Sequence, residues 1–406
     1  MRCGLLGRKL GHSYSPAIHK QLGSYSYELY EREPEDVEGF VKLGPWDGCN
    51  VTIPYKKEVV PFCTELSPLA QELGSVNTLV RRPDGTIYGD NTDAAGFEAM
   101  AKRLRLDYTG KKALVFGSGG ASVTVQAVLR HLGCSVIVVS RKGDVTYDDL
   151  ADHRDAQVLV NTTPVGMYPN NGESVVDLSA FPKAEAVLDV VYNPARTKLI
   201  LDAQQRGIPC ESGLYMLVAQ AARASELWTG KKIPTEKLDA VHRAIGASME
   251  NIILIGMPGC GKSTVGFKLA RALGRWLVDA DQELVKRAGM EIPQYMERHG
   301  EEGFRQLESK VLRDLGKESG LVIATGGGCV TRQENYRSLH QNGTIVWLRR
   351  DLQELPTDGR PISQKLGVQK LYEQRKPLYK AFSDMIVDND ISPDDTVEKV
   401  LKQLQI

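Results

Sequence analysis

The feature that most constrains this chain is a pair of glycine-rich phosphate loops, each following an apolar run and preceding a helical pattern. The first is Val115-Phe116-Gly117-Ser118-Gly119-Gly120-Ala121. The second is Gly256-Met257-Pro258-Gly259-Cys260-Gly261-Lys262-Ser263, a complete G-x-x-x-x-G-K-S sequence. A loop of the first kind holds the pyrophosphate of a dinucleotide, and a loop of the second kind holds a nucleoside triphosphate. We therefore predict that one polypeptide carries out both redox chemistry and phosphoryl transfer.

Composition is typical of a soluble globular protein and excludes several classes of function. The chain has 406 residues, 42% hydrophobic and 25% charged, with a formal net charge of +0, so no polyanion-binding surface is expected. No apolar stretch approaches the roughly 18 residues of a membrane span, and the N-terminus does not resemble a signal peptide. The seven cysteines are scattered and lack a C-x-x-C pair, which is typical of reduced thiols in the cytoplasm. We expect a cytoplasmic enzyme with small-molecule partners, no nucleic acid and no membrane; the sequence leaves the oligomeric state open.

Strand-like and helix-like segments alternate along the chain, which predicts the α/β class. We expect an α/β substrate lobe at 1–103, to which the helical segment 214–245 returns, and a Rossmann dinucleotide-binding domain at 104–213. A small-residue stretch at 246–250 is the predicted linker, and 251–406 is a P-loop kinase domain with a parallel sheet. The buried parallel strands are predicted at 111–118, 135–140, 157–161, 186–191, 251–256, 276–279, 321–325, 344–348 and 384–388.

The residues after the second Rossmann strand bear on the choice of dinucleotide. A site for NAD usually has an acidic residue there, which accepts a hydrogen bond from the ribose 2′-hydroxyl. Here Ser140 is followed by Arg141 and Lys142, two cations that suit a 2′-phosphate. The alternative is a solvated basic turn. The glycine turn also lacks the third glycine of G-x-G-x-x-G, because Ser122 stands in its place.

The N-terminal lobe carries four polar clusters, each of which alone could be turn chemistry. Together they supply hydroxyls, amides, one ammonium and one carboxylate, the set needed to hold a small polyhydroxylated acid. The clusters are His12-Ser13-Tyr14-Ser15-Pro16, Asn50-Val51-Thr52-Ile53-Pro54-Tyr55-Lys56, Gly74-Ser75-Val76-Asn77-Thr78 and Gly89-Asp90-Asn91-Thr92-Asp93.

Roughly residues 1–245 closely resemble the shikimate dehydrogenase family. The resemblance is carried by these clusters and by four motifs that follow them: GSGGA at 117–121, NTTPVGM at 161–167, DVVYNP at 189–194 and GLYMLVAQ at 213–220. The resemblance implies reversible reduction of 3-dehydroshikimate by NADPH, with Lys56 as the catalytic lysine paired with Asp93. A hydride that reaches a ketone carbon builds an alkoxide, which a positioned cation or acid must stabilise. The implied substrate contacts are Ser13, Ser15, Thr52, Asn77, Tyr192 and Gln220, with Ser13 and Ser15 on the carboxylate. The expected cofactor contacts are Gly117, Ser118, Gly119, Gly120, Ala121, Ser140, Arg141, Lys142 and Gly213.

The second loop is a strong signal for nucleoside triphosphate, because it follows an apolar run and precedes an amphipathic helix. Its backbone amides cradle phosphates, Lys262 reaches the β- and γ-oxygens, and Ser263 ligates Mg²⁺. The expected ATP contacts are Gly259, Cys260, Gly261, Lys262, Ser263 and Thr264. The loop alone does not name the phosphate acceptor.

The rest of the C-terminal sequence resembles the shikimate kinase family over roughly residues 251–406, through Asp279-Ala280-Asp281, Phe304-Arg305, Gly326-Gly327-Gly328, Gly359-Arg360-Pro361 and Arg375-Lys376-Pro377-Leu378-Tyr379. The resemblance implies phosphorylation of the shikimate 3-hydroxyl by ATP. Asp279 is then associated with Mg²⁺, and Asp281 binds the ring hydroxyl as base or orienting group. Arg305 and Arg375 clamp the substrate carboxylate, Gly327 and Gly328 offer backbone contacts, and Arg360 reaches the transferring phosphate from the lid. The lid, residues 349–364, is short and has no clear second arginine before Arg360.

The sequence therefore predicts a bifunctional enzyme that runs two consecutive steps toward chorismate and the aromatic amino acids. One alternative is a quinate or broad-specificity dehydrogenase beside the kinase; Arg141 and Lys142 argue against it. Another is a non-catalytic sensor built on these domains. Retention of catalytic side chains in both halves, Lys56 and Asp93 in one and Lys262 and Asp281 in the other, argues against that reading.

Overall fold

The computed structural model describes residues 1–11, 13–355 and 367–405. Within them the chain forms two compact units. The first takes in Met1–Gly166, Glu173–Tyr192 and Asp202–Gly246, and the second takes in Met167–Gly172, Asn193–Leu201 and Ala247–Ile406. No helix of the described residues is both long enough and apolar enough to cross a membrane.

The first unit begins with a mixed, six-stranded sheet in the order β2-β1-β3-β5-β6-β4. Strand β1 runs parallel to β2 and β3, whereas β5 is antiparallel to β3 and β6. The strands are β1 (Arg2–Gly7), β2 (Ser26–Glu31), β3 (Gly48–Val51), β4 (Glu65–Leu66), β5 (Thr78–Arg81) and β6 (Ile87–Asp90); the helices are α1 (Ser15–Leu22), α2 (Val37–Leu43), α3 (Pro68–Leu73) and α4 (Thr92–Arg103), with 3₁₀ turns at Pro34–Asp36 and Val60–Phe62. Helix α1 is the next element after β1, and α4 begins two residues after β6 ends. The first turns of both helices therefore follow the carboxyl ends of these strands.

The second sheet of this unit is parallel, in the order β11-β10-β9-β7-β8. Its central strands are largely buried and mostly apolar, as expected of strands covered on both faces. Helix α7 packs against α4 and α1 beside the first sheet. The elements are β7 (Lys112–Phe116), α5 (Gly120–His131), β8 (Ser135–Val139), β9 (Val158–Asn161), β10 (Ala186–Asp189), α6 (Lys198–Gln205), β11 (Cys210–Ser212), α7 (Leu214–Thr229) and α8 (Thr235–Met249), with 3₁₀ turns at Tyr147–His153 and Leu178–Ala180.

The second unit contains a parallel sheet in the order β13-β14-β12-β15-β16. Its core is built on the buried central strands and the helices that cover them. The elements are β12 (Asn251–Ile255), α9 (Lys262–Leu273), β13 (Leu277–Asp279), α10 (Ala280–Ala288), α11 (Ile292–Leu315), β14 (Val322–Ala324), α12 (Gln333–His340), β15 (Gly343–Arg349), α13 (Val368–Phe382), β16 (Met385–Asp388) and α14 (Pro393–Leu404), with 3₁₀ turns at Cys329–Thr331 and Leu352–Glu354.

These sheets confirm the α/β class and the parallel strands predicted for both halves of the chain. One detail differs from the expectation. The predicted linker 246–250 is largely helical, because α8 continues to Met249, whose side chain is buried. The predicted lid arginine, Arg360, lies outside the described residues.

Candidate active sites

A cavity of about 520 Å³ in the first unit opens at the carboxyl ends of β1 and β3. It brings together side chains that are up to two hundred residues apart in the chain. The predicted substrate and catalytic residues that line it are Ser13, Ser15, Thr52, Lys56, Asn77, Asp93, Tyr192 and Gln220.

Lys56 and Asp93 form an ion pair in this cavity, with 2.6 Å between Nζ and Oδ2. The side chains are 30% and 19% exposed, so the pair is partly shielded yet accessible to a ligand. Asp93 lies in the first turn of α4, where the helix dipole stabilises a carboxylate. Since an ammonium has three donors, Lys56 keeps N–H groups for a substrate oxygen while Asp93 holds it.

Asn77 is oriented by the groups behind it. Its Oδ1 accepts the backbone N–H of Thr92 at 2.7 Å and lies 3.1 Å from the Thr78 hydroxyl. The Thr92 hydroxyl also lies 3.3 Å from Oε1 of Gln220, whose Nε2 donates to the Leu217 carbonyl. With its oxygen occupied, Asn77 presents its amide N–H groups to the cavity, where they suit the oxygens of a hydroxylated ligand.

Asn50 also lines this cavity, although the sequence analysis gave it no role. It is buried and donates to the Thr78 hydroxyl at 3.0 Å. Its Oδ1 accepts from Tyr27 at 2.9 Å and lies 3.1 Å from Nε2 of His19. Burial lowers the pKa of His19 to about 3, so the imidazole is neutral and donates Nε2–H to Asn50. The only sequence signal for Asn50 was its position two residues before Thr52.

The glycine turn after β7 has the geometry of a dinucleotide loop. Gly117 has φ +109°, and a side chain there would meet the Thr162 hydroxyl at 2.8 Å. Ser122, which replaces the third glycine, donates to the Gly117 carbonyl at 2.6 Å and so fastens the turn to α5. Ala121 and Gly213, both predicted cofactor contacts, line the substrate cavity, so the turn borders the place where hydride transfer would occur.

The basic residues lie beside this turn, because β7 and β8 are neighbours in register. The backbone N–H of Gly117 donates to the Val139 carbonyl at 2.8 Å, which brings Ser140 to the same edge of the sheet. Ser140 is buried, whereas Arg141 and Lys142 are exposed and form no ion pair with the described residues. Both cations are therefore available to an anionic group of a bound dinucleotide.

A second cavity, of about 460 Å³, lies in the second unit over the P-loop and the ends of β13 and β14. Lys262 is buried and donates to the Gly256 and Met257 carbonyls at 3.0 and 3.1 Å. The predicted residues that line this cavity are Gly259, Gly261, Lys262, Ser263, Thr264, Asp279, Asp281, Arg305, Gly327, Gly328 and Arg375. Cys260 is the exception among the predicted loop contacts, because its side chain is fully buried beneath the loop, with its sulfur 4.0 Å from Nζ of Lys262.

Ser263 and Asp279 fit the requirements of a magnesium ion. The Ser263 hydroxyl donates to Oδ2 of Asp279 at 2.6 Å, which places two oxygen donors side by side at the phosphate loop. Mg²⁺ prefers oxygen ligands and takes few of them from the protein when phosphates are bound. The described residues contain no group of three or more His, Cys, Asp or Glu side chains arranged for a metal.

Asp281 is set apart from Asp279 by its environment. Burial, followed by the nearby negative charges of Glu308 and Asp279, raises the pKa of Asp281 to about 6. Gly326 leaves room for these carboxylates, since a side chain there would meet Glu308 at 2.7 Å and Asp281 at 2.8 Å. A carboxylate with a pKa near neutrality is suited to receive a proton from a hydroxyl group.

The two predicted clamp arginines are both buried, and each is held by a partner. Arg305 pairs with Glu308 at 2.7 Å, and Arg375 donates to the Gly327 carbonyl at 3.0 Å. Sequence reasoning missed Glu308; its only signal is the spacing of three residues from Arg305 on a helix. Arg350 also lines the cavity, where it pairs with Glu354 at 2.9 Å. Arg350 directly follows β15, and the predicted lid from residue 356 onward lies outside the described residues.

The sheets and cavities define a dinucleotide-dependent oxidoreductase joined to a P-loop phosphotransferase. Residues 5–79 match the shikimate dehydrogenase substrate binding domain, and 213–241 match the shikimate 5′-dehydrogenase C-terminal domain. Residues 258–405 match shikimate kinase.

Known proteins resemble the N-terminal part closely. Shikimate dehydrogenase (NADP(+)) from Clostridium perfringens strain SM101 is 36% identical over 268 residues, 60% of this chain and 97% of the relative. Its counterpart from Methanopyrus kandleri is 39% identical, over 57% of this chain and 91% of the relative. A chorismate mutase/shikimate 5-dehydrogenase fusion protein from Clostridium acetobutylicum is similar in structure, with 35% identity, TM-score 0.57 and coverage of 60% and 96%. Shikimate 5-dehydrogenase from Thermus thermophilus, solved with NADP(H) and shikimate, has 32% identity, TM-score 0.55 and coverage of 60% and 99%.

The chain belongs to the shikimate dehydrogenase family and carries a shikimate kinase domain at its C-terminal end. It is therefore an enzyme of the shikimate pathway, with the domains for NADP and ATP chemistry in one polypeptide.

Proposed function

We propose that this chain is a bifunctional enzyme that reduces 3-dehydroshikimate to shikimate with NADPH and then phosphorylates the shikimate 3-hydroxyl with ATP. The main support for the proposal is that the structure contains two cavities lined by candidate catalytic side chains, and that each cavity is lined by residues of one unit. The first contains the Lys56–Asp93 pair, and the second contains the P-loop with Asp281 and two buried arginines. The product of the first reaction is the acceptor in the second.

In the dehydrogenase cavity, the hydroxyls of Ser13 and Ser15 bind the substrate carboxylate, while Thr52, Asn77 and Gln220 bind the ring oxygens. The nicotinamide supplies the hydride. Lys56 stabilises the alkoxide that develops on the former ketone oxygen and gives it a proton, while Asp93 keeps the ammonium in position.

NADPH is the dinucleotide that this site suits best. Arg141 and Lys142 would contact the 2′-phosphate, since both are exposed beside the glycine turn and have no carboxylate partner in the described residues. A guanidinium and an ammonium recognise phosphate through charge-assisted hydrogen bonds.

In the kinase cavity, Asp281 orients the 3-hydroxyl and accepts its proton as the hydroxyl oxygen attacks phosphorus. Arg305 and Arg375 clamp the substrate carboxylate, since a guanidinium fork matches both carboxylate oxygens. Lys262 exchanges its contacts with the Gly256 and Met257 carbonyls for phosphate oxygens when nucleotide binds. Ser263 and Asp279 would hold Mg²⁺, which neutralises phosphate charge, and Arg360 is assigned to the transferring phosphate.

The test is a coupled assay of the purified full-length chain with 3-dehydroshikimate, NADPH and MgATP. We expect loss of NADPH absorbance and formation of shikimate 3-phosphate. Lys262→Ala should let shikimate accumulate, and Lys56→Ala should stop NADPH consumption while added shikimate is still phosphorylated. Absence of shikimate 3-phosphate would contradict bifunctionality, and equal oxidation of quinate with NAD⁺ would overturn the assigned substrate and cofactor.

A further inference from the structure

Lys9 contributes an unpaired positive charge to the dehydrogenase cavity, a feature that the sequence motifs did not indicate. The residues on either side of Lys9 in the chain make other contacts. Arg8 pairs with Glu33 at 2.8 Å on the surface, and Leu10 is buried. Lys9 itself lines the cavity together with Ser13 and Ser15.

The backbone around Lys9 is fixed, so its position at the cavity is a property of the fold. The N–H of Leu10 donates to the Glu31 carboxylate at 2.6 Å. The N–H of Ser13 donates to the Leu10 carbonyl at 3.0 Å, which keeps Ser13 close to the residue that follows Lys9. Lys9 and Ser13 therefore lie in the same connection between β1 and α1, and Ser15 is the first residue of α1.

The charges of the cavity favour an anionic ligand because of Lys9. Among the described residues that line it, the charged ones are Lys9, Lys56 and Asp93. Lys56 and Asp93 neutralise each other in their ion pair. Lys9 forms no hydrogen bond or ion pair with the described residues, so it leaves the cavity lining with one unbalanced positive charge.

We propose that Lys9 pairs with the carboxylate of the substrate and selects for anionic substrates in the dehydrogenase reaction. This inference rests on the proposed dehydrogenase function. The hydroxyls of Ser13 and Ser15 can hydrogen-bond a carboxylate or a neutral ester alike, whereas an ammonium distinguishes the two by charge. Lys56 is unsuited to this task, because Asp93 already holds it for the reacting oxygen. Lys9 thus serves substrate binding, and Lys56 serves the chemical step.

The experiment measures shikimate oxidation with NADP⁺ by the full-length protein and its Lys9→Gln, Lys9→Arg and Lys20→Gln variants. Lys20 is the matched control, because it is an exposed, unpaired lysine of the same lobe that does not line the cavity. We expect Lys9→Gln to raise the KM for shikimate about 3- to 10-fold, the range for losing one partly exposed charged contact, with kcat nearly unchanged. Lys9→Arg should restore most of the affinity, and Lys20→Gln should behave as the unmodified protein.

The methyl ester of shikimate separates a charge effect from a general loss of fit. Lys9→Gln should leave the KM for the ester unchanged, and high salt should narrow the difference for shikimate, because exposed charges are screened. An unchanged KM for shikimate in Lys9→Gln, or an equal rise for the ester, would overturn the role of Lys9 alone. Failure of the unmodified protein to oxidise shikimate would overturn the proposed function as well. Thermal melting of each variant checks that all are folded.

Discussion

At the scale of single residues, the ion pair of Lys56 and Asp93 determines what the first cavity can do. We expect Lys56→Ala to lower kcat by about 10²- to 10⁴-fold, the usual contribution of a positioned acid, because its charge matters most as the alkoxide forms. NADPH binding, measured by fluorescence titration, should hardly change. Lys57→Ala is the matched control, since Lys57 is exposed and does not line the cavity. Near-normal turnover in Lys56→Ala would show that another group protonates the substrate.

Asp281 illustrates a conflict between activity and stability. Its pKa is raised to about 6, so the folded protein binds this proton more tightly than the unfolded chain does. Stability therefore falls as pH rises from the ordinary aspartate value to about 6, and the penalty stays at higher pH. Asp281→Asn should remove the penalty and stabilise the protein by roughly 3 kcal/mol above pH 7.

The same substitution should abolish most kinase turnover, because an amide cannot accept the hydroxyl proton. In the unmodified enzyme, kinase kcat should decline as pH falls through about 6, where Asp281 becomes protonated. Denaturation curves at several pH values and the kinase pH–rate profile provide the measurements. A variant that is inactive but no more stable at neutral pH would show that Asp281 is not desolvated as the structure indicates.

Cofactor choice also belongs to individual side chains. Replacing Arg141 and Lys142 together by glutamine should reduce the preference for NADPH over NADH by about 10²-fold, since each charge-assisted contact to the 2′-phosphate contributes roughly 1.5–3 kcal/mol. The matched control replaces Arg154 and Lys183, which are exposed cations of the same unit away from the glycine turn. Steady-state kinetics with NADPH and with NADH measure this preference in each variant. Equal use of NADH by the unmodified enzyme would contradict the assignment.

At the scale of elements, the P-loop depends on a contact from the far edge of its sheet. Asn389, directly after β16, donates to the Cys260 carbonyl at 2.8 Å and accepts from the Thr396 hydroxyl on α14 at 2.7 Å. Asn389→Ala should leave this buried carbonyl unpaired and raise the KM for ATP roughly tenfold, given the cost of an unsatisfied buried group. The KM for shikimate should stay close to normal, because the acceptor groups lie on other elements.

Thr396→Val provides a graded comparison, since it removes only the hydroxyl that orients Asn389. Its effect on the KM for ATP should have the same direction and be smaller. If Asn389→Ala changes the KM for shikimate and not that for ATP, the contact does not support the nucleotide loop.

The sequence was most informative where local pattern and tertiary role coincide. The central strands of both parallel sheets are largely buried on two faces, so most of their residues are apolar and they can be recognised without a partner. The first sheet was harder, because β4 has two residues and the antiparallel β5 and β6 are short. Their pairing is set by contacts between segments, which no single segment reveals.

The same limit applies to the candidate sites. Most of the predicted substrate and ATP contacts line the two cavities, whereas only Ala121 and Gly213 of the predicted dinucleotide contacts do. The roles of all of these residues remain predictions. Glu308 and Lys9 were missed because each resembles an ordinary polar residue in its own segment, and Asn50 was named in a polar cluster without a role of its own. Asn50 becomes significant only through Thr78, which folds beside it, and Glu308 only through its burial with Arg305. Lys9 is exposed, and only the fold shows that it also lines the cavity.

At the scale of the whole molecule, each cavity is complete within its own unit. The residues that line the first cavity fall between Leu5 and Gln220, and those that line the second fall between Pro258 and Arg375. The boundary between the units after Gly246 contains no residue of either lining. Among the described residues, neither lining includes a side chain of the other unit, and each half is large enough to bury a core.

We predict that the two halves are separable and that shikimate exchanges freely with solvent between the reactions. Fragments 1–246 and 248–406 keep the strands of their sheets and their catalytic groups, although the cut falls near the end of α8 and leaves Met167–Gly172 and Asn193–Leu201 of the second unit on the first fragment. Both should be folded and active, with kcat within about twofold of the full chain if neither active site uses the other half. In the full chain, labelled shikimate added during the coupled reaction should enter shikimate 3-phosphate in proportion to its share of the free pool, because no shared residue hands the intermediate on. The control is an equimolar mixture of the two fragments, in which free exchange is unavoidable. Exclusion of the label by the full chain but not by the mixture would show direct transfer, and insoluble or inactive fragments would show that the halves depend on each other.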